Sequence, residues 1–154
     1  MSLAEELLDE IIKAGPKAFE QLVLDVIRSM GYGIDGKTTP YVKDGGIDGV
    51  IREDKLGLNE IYLQAKLWDG NVGSREIQQF IGALDMQKAQ NGICITQSDF
   101  TASAITAAAK SSRKIVLING KDLVGYMIKY GVGVQVRQTY ELKRIDLDYF
   151  ESIS

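Results

Sequence analysis

The chain has 154 residues, a formal net charge of −3, 45% hydrophobic and 25% charged side chains, the size and balance of one globular domain with a sizeable core. One cysteine and no histidine exclude an internal disulfide, a zinc-finger site and every histidine-based catalytic triad. No apolar run approaches the ~18 residues of a membrane helix, the acidic opening has no basic n-region of a signal peptide, and the lone thiol points to a reducing, cytoplasmic compartment.

In chain order, the first segment to Ala14 reads as a short acidic helix with Leu7, Leu8, Ile11 and Ile12 on one side. Gly15-Pro16 breaks it, and proline suits the first turn of the next helix. That helix, about 16–30, carries Phe19, Leu22, Val23, Val26, Ile27 and Met30 at the spacing of an amphipathic stripe, and Gly31 ends it. Residues 31–46, rich in Gly, Lys and Thr, read as a turn region. Short strand 47–53 and strand 60–68 flank the turn "DKLGLN" and are expected to pair antiparallel. A Gly/Asn-rich loop leads to a helix over 74–89, with Ser74 as the expected N-cap and Ile77, Phe80, Ile81 and Leu84 as its stripe. Strand 92–97, a helix over 101–112, strand 114–118 and a helix over 120–130 follow, with strand character again near 132–137. Strand–helix–strand units of this length imply parallel pairing. The fold class is therefore α/β: a mixed central sheet with helices on both faces. Cys94, inside the run "GICIT", reads as a small buried hydrophobe.

Strand 60–68, "EIYLQAKLW", is where chemistry enters. Leu63, Ala65 and Leu67 share one face and Gln64 and Lys66 the other, since side chains alternate along a strand. By the same alternation Asp48 lies with Val50, opposite Ile47, Gly49 and Ile51. Neighbouring strands are ~4.8 Å apart, so Asp48, Gln64 and Lys66 can converge on one sheet face. Glu20 lies beside the buried Phe19, at the flank of its helix's stripe. Two carboxylates and an amide oxygen make an all-oxygen set suited to Mg²⁺, with Mn²⁺ as a substitute. A lysine beside such a metal can orient or deprotonate an attacking water and stabilise charge on a phosphoryl oxygen, which suits hydrolysis of a phosphodiester. Gly45, Gly46 and Gly49 would let a nucleic-acid backbone approach. The competing reading takes Asp48 as a turn residue and Lys66 as a cation that snorkels to solvent.

The segments "FEQLVLDVIRSMGY" (19–32), "DGGIDGVI" (44–51), "IYLQAKLW" (61–68), "IQQFIGAL" (77–84), "GICITQSDFTASA" (92–104) and "IVLINGKDLVGYMI" (115–128) resemble, in that order, the catalytic domain of Mrr-type restriction endonucleases. These belong to the superfamily named for a PD-(D/E)-x-K motif. The resemblance covers nearly the whole chain and implies a restriction-endonuclease-like core, Mg²⁺-dependent cleavage of double-stranded DNA and a preference for methylated DNA. By matching positions it makes Glu20 the acidic residue of the first core helix, Asp48 the metal-binding aspartate, and Gln64 and Lys66 the Q-x-K variant of the motif. Two positions depart: Leu67 stands where Arg is common, and neutral Gln64 replaces the acid of the wider superfamily. Mrr proteins also carry an N-terminal winged-helix domain. No counterpart appears in this segment, so the chain is expected to be a single catalytic domain from a longer protein.

Residues 11–140 hold 16 basic and 13 acidic side chains between acidic ends, which permits a polyanionic partner without requiring one. Arg75, Lys43, Lys110, Arg113 and Lys114 are candidate phosphate contacts, with a solvated face as the alternative for each. Thr96, Gln97 and Ser98, ahead of the helix at Thr101, could bind a phosphate or simply cap and turn. Trp68 and Tyr62 read as packing residues. Cleavage of both strands needs two sites, which makes a homodimer or higher assembly plausible. Two rivals remain: a non-catalytic DNA-binding or assembly module on the same fold, and a repair or junction nuclease.

Overall fold

A computed structural model of the chain describes residues 1–33, 38–40 and 48–154, the 38–40 segment by its backbone. Its elements run α1 (Leu3–Ala14), α2 (Pro16–Ser29), β1 (Thr38–Pro40), β2 (Gly49–Arg52), β3 (Glu60–Lys66), α3 (Ser74–Met86), β4 (Asn91–Thr96), α4 (Ala102–Lys110), β5 (Lys114–Ile118), α5 (Gly120–Tyr130) and α6 (Leu147–Ile153). The sheet order is β1-β2-β3-β4-β5. β1, β2 and β3 pair antiparallel, while β3, β4 and β5 pair parallel. α3 and α4 make the two connections that parallel pairing requires. β3 is thus where the antiparallel part of the sheet meets the parallel part.

Each sheet face has its own core. Ile51, Ile61, Leu63, Ile95 and Ile118 pack beneath Leu7 and Ile11 of α1, Phe19, Val23, Val26 and Ile27 of α2, and Leu123, Val124 and Met127 of α5. On the other face Cys94 joins Ile77, Phe80, Ala83 and Leu84 of α3 and Ala104 and Ala108 of α4, with Val50 and Tyr62 partly buried against them. The helix stripes and the strand alternation read from the sequence generate this two-sided arrangement. The face of α1 is narrower than expected: Ile12 stands 55% exposed.

The structure corrects the sequence reading of the elements at four places. Gly73, not Ser74, is the N-cap of α3, and the Glu76 carboxylate accepts the Gly73 N–H at 3.1 Å. That is half of a capping box, since glycine has no side chain to return the bond. Within the segment read as a turn region, Thr38–Pro40 form a strand, paired with β2. Residues 132–137 are not a strand. Gly131 and Gly133, at φ 75° and 72°, turn the chain after α5, and a Cβ on Gly133 would lie 3.0 Å from Met127 and 3.9 Å from Leu7. Helix α6 was not anticipated. Asp146 caps it by accepting the Tyr149 N–H, but none of its residues is buried.

Candidate active site

The site lies where β2 enters and β3 and β4 leave the sheet, at the carboxyl ends of the parallel strands, the usual place for ligands in α/β sheets. Asp48 immediately precedes β2 and prolongs its pairing with β3. Its N–H donates to the Leu63 carbonyl at 2.7 Å, and its Oδ2 accepts the Ala65 N–H at 2.6 Å. The carboxylate thus takes the place of a strand's next carbonyl. It lies at the seam between β2 and β3, where the charges of Glu20 and Lys66 both act on it.

Burial holds the Asp48 carboxyl above its usual pKa, opposed by the Ala65 N–H; the negative charge of Glu20 raises it further and the positive charge of Lys66 lowers it. Glu20 comes from α2, on the opposite side of the sheet from α3 and α4. Gln64 and Lys66 alternate with Leu63, Ala65 and Leu67, which pack on the α1/α2/α5 side. Gln64 is 3% exposed, pairs in register with Cys94, and its Oε1 accepts from the Cys94 thiol at 3.9 Å. Burial pushes that thiol up to about 12, against the pull of Lys66. Cys94 is therefore inert at neutral pH. Lys66 is half-buried and pairs in register with Thr96. Among the described residues no direct ion pair joins Lys66 to Asp48, so Lys66 acts on Asp48 without touching it.

Among the described residues no three Asp, Glu, Cys or His side chains gather into a metal-binding group. The donor set is two carboxylates with one amide. Its chemistry still fits a hard divalent cation, which accepts carboxylate and amide oxygens and keeps several waters. A half-buried carboxylate whose proton affinity is raised by burial, and further by a second carboxylate, is also what a cation would relieve.

The cationic candidates separate. Arg75 is exposed in the first turn of α3, on the helix that follows β3 at the site's end of the sheet. Lys110, Arg113 and Lys114 gather at the opposite end, since Lys114 opens β5 opposite Asn91 and Ile61. Five steps along the strand separate Ile61 from Lys66, ~16 Å. Arg113 is engaged structurally: its Nη1 lies 2.7 Å from Asp85 and its Nε donates to the Ala89 carbonyl at 2.6 Å. Lys43 and the glycines Gly45 and Gly46 lie outside the described residues. Thr101 caps α4 by accepting the Ala104 N–H at 3.1 Å.

Sequence reasoning missed the part played by Trp68. Rather than packing in a core, it is 37% exposed, and the Lys66 Nζ sits 5.0 Å from its ring centre. Its position two residues beyond Lys66, on the same strand face, was the available signal. Tyr62 does pack, against the α3/α4 core.

The profile of a restriction endonuclease family, Mrr_cat, matches residues 11–127. The chain belongs to the Mrr-type restriction endonuclease family. It is 44% identical over 153 residues, 97% of its length, to the type IV methyl-directed restriction enzyme EcoKMrr of Escherichia coli (strain K12), covering 50% of that protein. This Mrr-type chain therefore spans half the length of that curated relative. Its fold matches the DNA modification-dependent restriction endonuclease AspBHI at TM-score 0.65 and 21% identity, over 86% of this chain and 37% of that one. It also matches the MspJI restriction endonuclease, solved with a 27-mer oligonucleotide, at TM-score 0.59 and 22% identity, over 80% of this chain and 31% of that one. These two likenesses establish the restriction-endonuclease fold.

Proposed function

We propose that this domain is a Mg²⁺-dependent endonuclease that hydrolyses phosphodiester bonds of double-stranded DNA, acting in the cytoplasm to restrict methylated foreign DNA. The observation that carries the reading is the Asp48 carboxylate, pinned to the Ala65 N–H with the charge of Glu20 and that of Lys66 both acting on it. Membership of the Mrr-type family and the methyl-directed relative support the substrate.

Asp48, Glu20 and Gln64 are the residues that would hold the cation. When bound, it would neutralise charge developing on the phosphoryl group and make a water a better nucleophile at neutral pH. The Ala65 N–H fixes one Asp48 oxygen, so the carboxylate presents its remaining lone pairs in a set orientation. The Lys66 ammonium, held off Asp48, would donate to an attacking water or to a phosphate oxygen. Gln64 brings an acceptor without a third negative charge. Arg75, at the same end of the sheet, supplies a phosphate contact that positions the duplex without reading its sequence. Two copies acting together would cut both strands.

The test is cleavage of methylated and unmethylated plasmid with and without Mg²⁺. Asp48→Ala and Lys66→Ala abolish Mg²⁺-dependent cleavage of the methylated plasmid while circular dichroism stays native. Undiminished nicking by either variant would overturn the assignment. The buried, neutral Gln64 favours a second reading, a DNA-binding or assembly module without catalysis. Calorimetric titration with Mg²⁺ or Mn²⁺ separates the two, because binding abolished by Asp48→Ala belongs to the nuclease.

A further inference from the structure

Lys66 is the last residue of β3, and its neighbour across the ladder, Thr96, is the last of β4. A lysine at the end of a strand has four rotatable bonds and a carboxylate, Asp48, to fall onto. Yet its ammonium is off Asp48 and over the face of Trp68. The indole's negative face attracts the cation and favours one placement among many.

Trp68 lies beyond the ladder, where backbone pairing has stopped, and Gln97 takes that pairing over. The Gln97 side-chain amide accepts the Trp68 N–H at 2.9 Å and donates to the Trp68 carbonyl at 2.5 Å. One side chain thus satisfies both main-chain groups of Trp68, as a neighbouring strand would. Gln97 is held in turn by the Thr96 hydroxyl, 3.3 Å from its Oε1, and the same hydroxyl lies 3.1 Å from that of Ser98. The Ser98 carbonyl accepts the Gly120 N–H at 2.8 Å, tying the group to the start of α5. With its amide engaged in this way, Gln97 serves the protein backbone.

We propose that Trp68 and Gln97 form a clamp that positions the Lys66 ammonium: Gln97 fixes the backbone of Trp68, and the indole holds the cation away from Asp48. Both are positioning residues, and their value to cleavage rests on the nuclease reading above. Loss of the clamp lets Lys66 drop into a direct ion pair with Asp48, occupying the carboxylate and withdrawing the ammonium from the phosphate.

Trp68 is the chain's single tryptophan, so its fluorescence reports on the clamp alone and needs no activity. In the 154-residue chain, Lys66→Met changes the emission intensity of Trp68. Gln97→Ala, and the shorter Gln97→Asn if the alanine variant fails to fold, moves emission to longer wavelength and lowers its anisotropy. Emission and anisotropy unchanged from wild type would overturn the clamp. Cleavage kinetics then test its purpose: Trp68→Leu lowers kcat about tenfold at constant KM for DNA, while Trp68→Phe, which keeps a ring face, stays within about threefold. Equal losses in the two variants, or a loss confined to KM, would overturn positioning. The expected fluorescence changes in the variants, together with no cleavage by the wild-type chain, would refute the nuclease reading and leave the clamp standing.

Discussion

The Asp48 carboxylate stands in for a strand carbonyl toward the Ala65 N–H, 2.6 Å away, so the half-buried acid is tied into the sheet. Its burial comes from the same placement and raises its pKa. A raised carboxyl pKa means that the folded protein favours the protonated form. The stability this confers is fully present below the unfolded value, for which 3.8 is the reference, and is lost as pH rises through the folded pKa. In chelator-treated protein, Asp48→Asn keeps an acceptor for Ala65 and removes the buried charge. It therefore melts higher than wild type at neutral pH and level with it at pH 3. Thermal melts across that range check this. A lower melting temperature for the variant at pH 7 would contradict it.

The Cys94 thiol presents the same physics: burial raises its pKa, the charge of Lys66 opposes the rise and that of Asp48 adds to it. It is fully buried between Gln64 and the α3/α4 core, and its pKa is pushed to about 12. Thiolate is the reactive form, so a disulfide reagent at pH 8 leaves the native chain unlabelled and labels it once denatured. Cys94→Ala removes only a small buried group, for which about 1 kcal/mol of lost stability in urea melts is expected. Its cleavage rate stays at the wild-type level, which sets Cys94 apart from its neighbour Gln64.

Much of this architecture was legible because hydrophobic period dictates element type. Phe19, Val23, Val26 and Ile27 at helical spacing, and the alternation around Gln64 and Lys66, gave the layers and the side of the sheet each faces. What periodicity leaves open is the meeting of residues distant in sequence. The contact of Gln64 with Cys94 depends on parallel register, and that of Gln97 with Trp68 on where β3 and β4 part. Asp48 reaching into the ladder is a side-chain bond that strand alternation does not encode. The valines at 132, 134 and 136 alternate as in a strand, yet a strand needs a neighbour to bond; two left-handed glycines break the extended path, and Val132 and Val134 pack on the α1/α2/α5 core instead. α6 buries nothing, so it lacks the apolar-face burial that usually stabilises a short helix.

Gly120 is the tightest approach of backbone to backbone near the site. A Cβ there would sit 1.9 Å from the Gln97 carbonyl oxygen, and backbone on both sides cannot yield as a flexible side chain could. Gly120→Ala must therefore move α5 away from the end of β4. A loss of roughly 3 kcal/mol, the upper range for an overpacked core, is expected in urea unfolding. Gln97 shifts with it, so Trp68 emission moves to longer wavelength in the fraction that remains folded. A variant as stable as wild type would show that α5 is packed more loosely than these contacts require.

Arg75 and Arg113 answer opposite experiments. Arg113, with its side chain 20% exposed, bonds both Asp85 and the Ala89 carbonyl, stapling the end of α3 to the start of β5. Charge-assisted bonds of this kind are worth ~1.5–3 kcal/mol each when desolvated, less here because Asp85 is 54% exposed. Arg113→Ala accordingly costs about 1–2 kcal/mol in unfolding experiments and leaves DNA affinity unchanged. Arg75 is exposed at the site's end of the sheet, where a duplex seated on Lys66 would pass. Arg75→Ala leaves stability within about 0.5 kcal/mol of wild type. It weakens DNA binding uniformly across sequences and reduces the slope of log affinity against log salt by about 1, the signature of one lost phosphate contact. Binding titrations at three salt concentrations distinguish the two arginines. A full salt slope retained by Arg75→Ala, or lost by Arg113→Ala, would mean that the duplex lies toward the other end of the sheet.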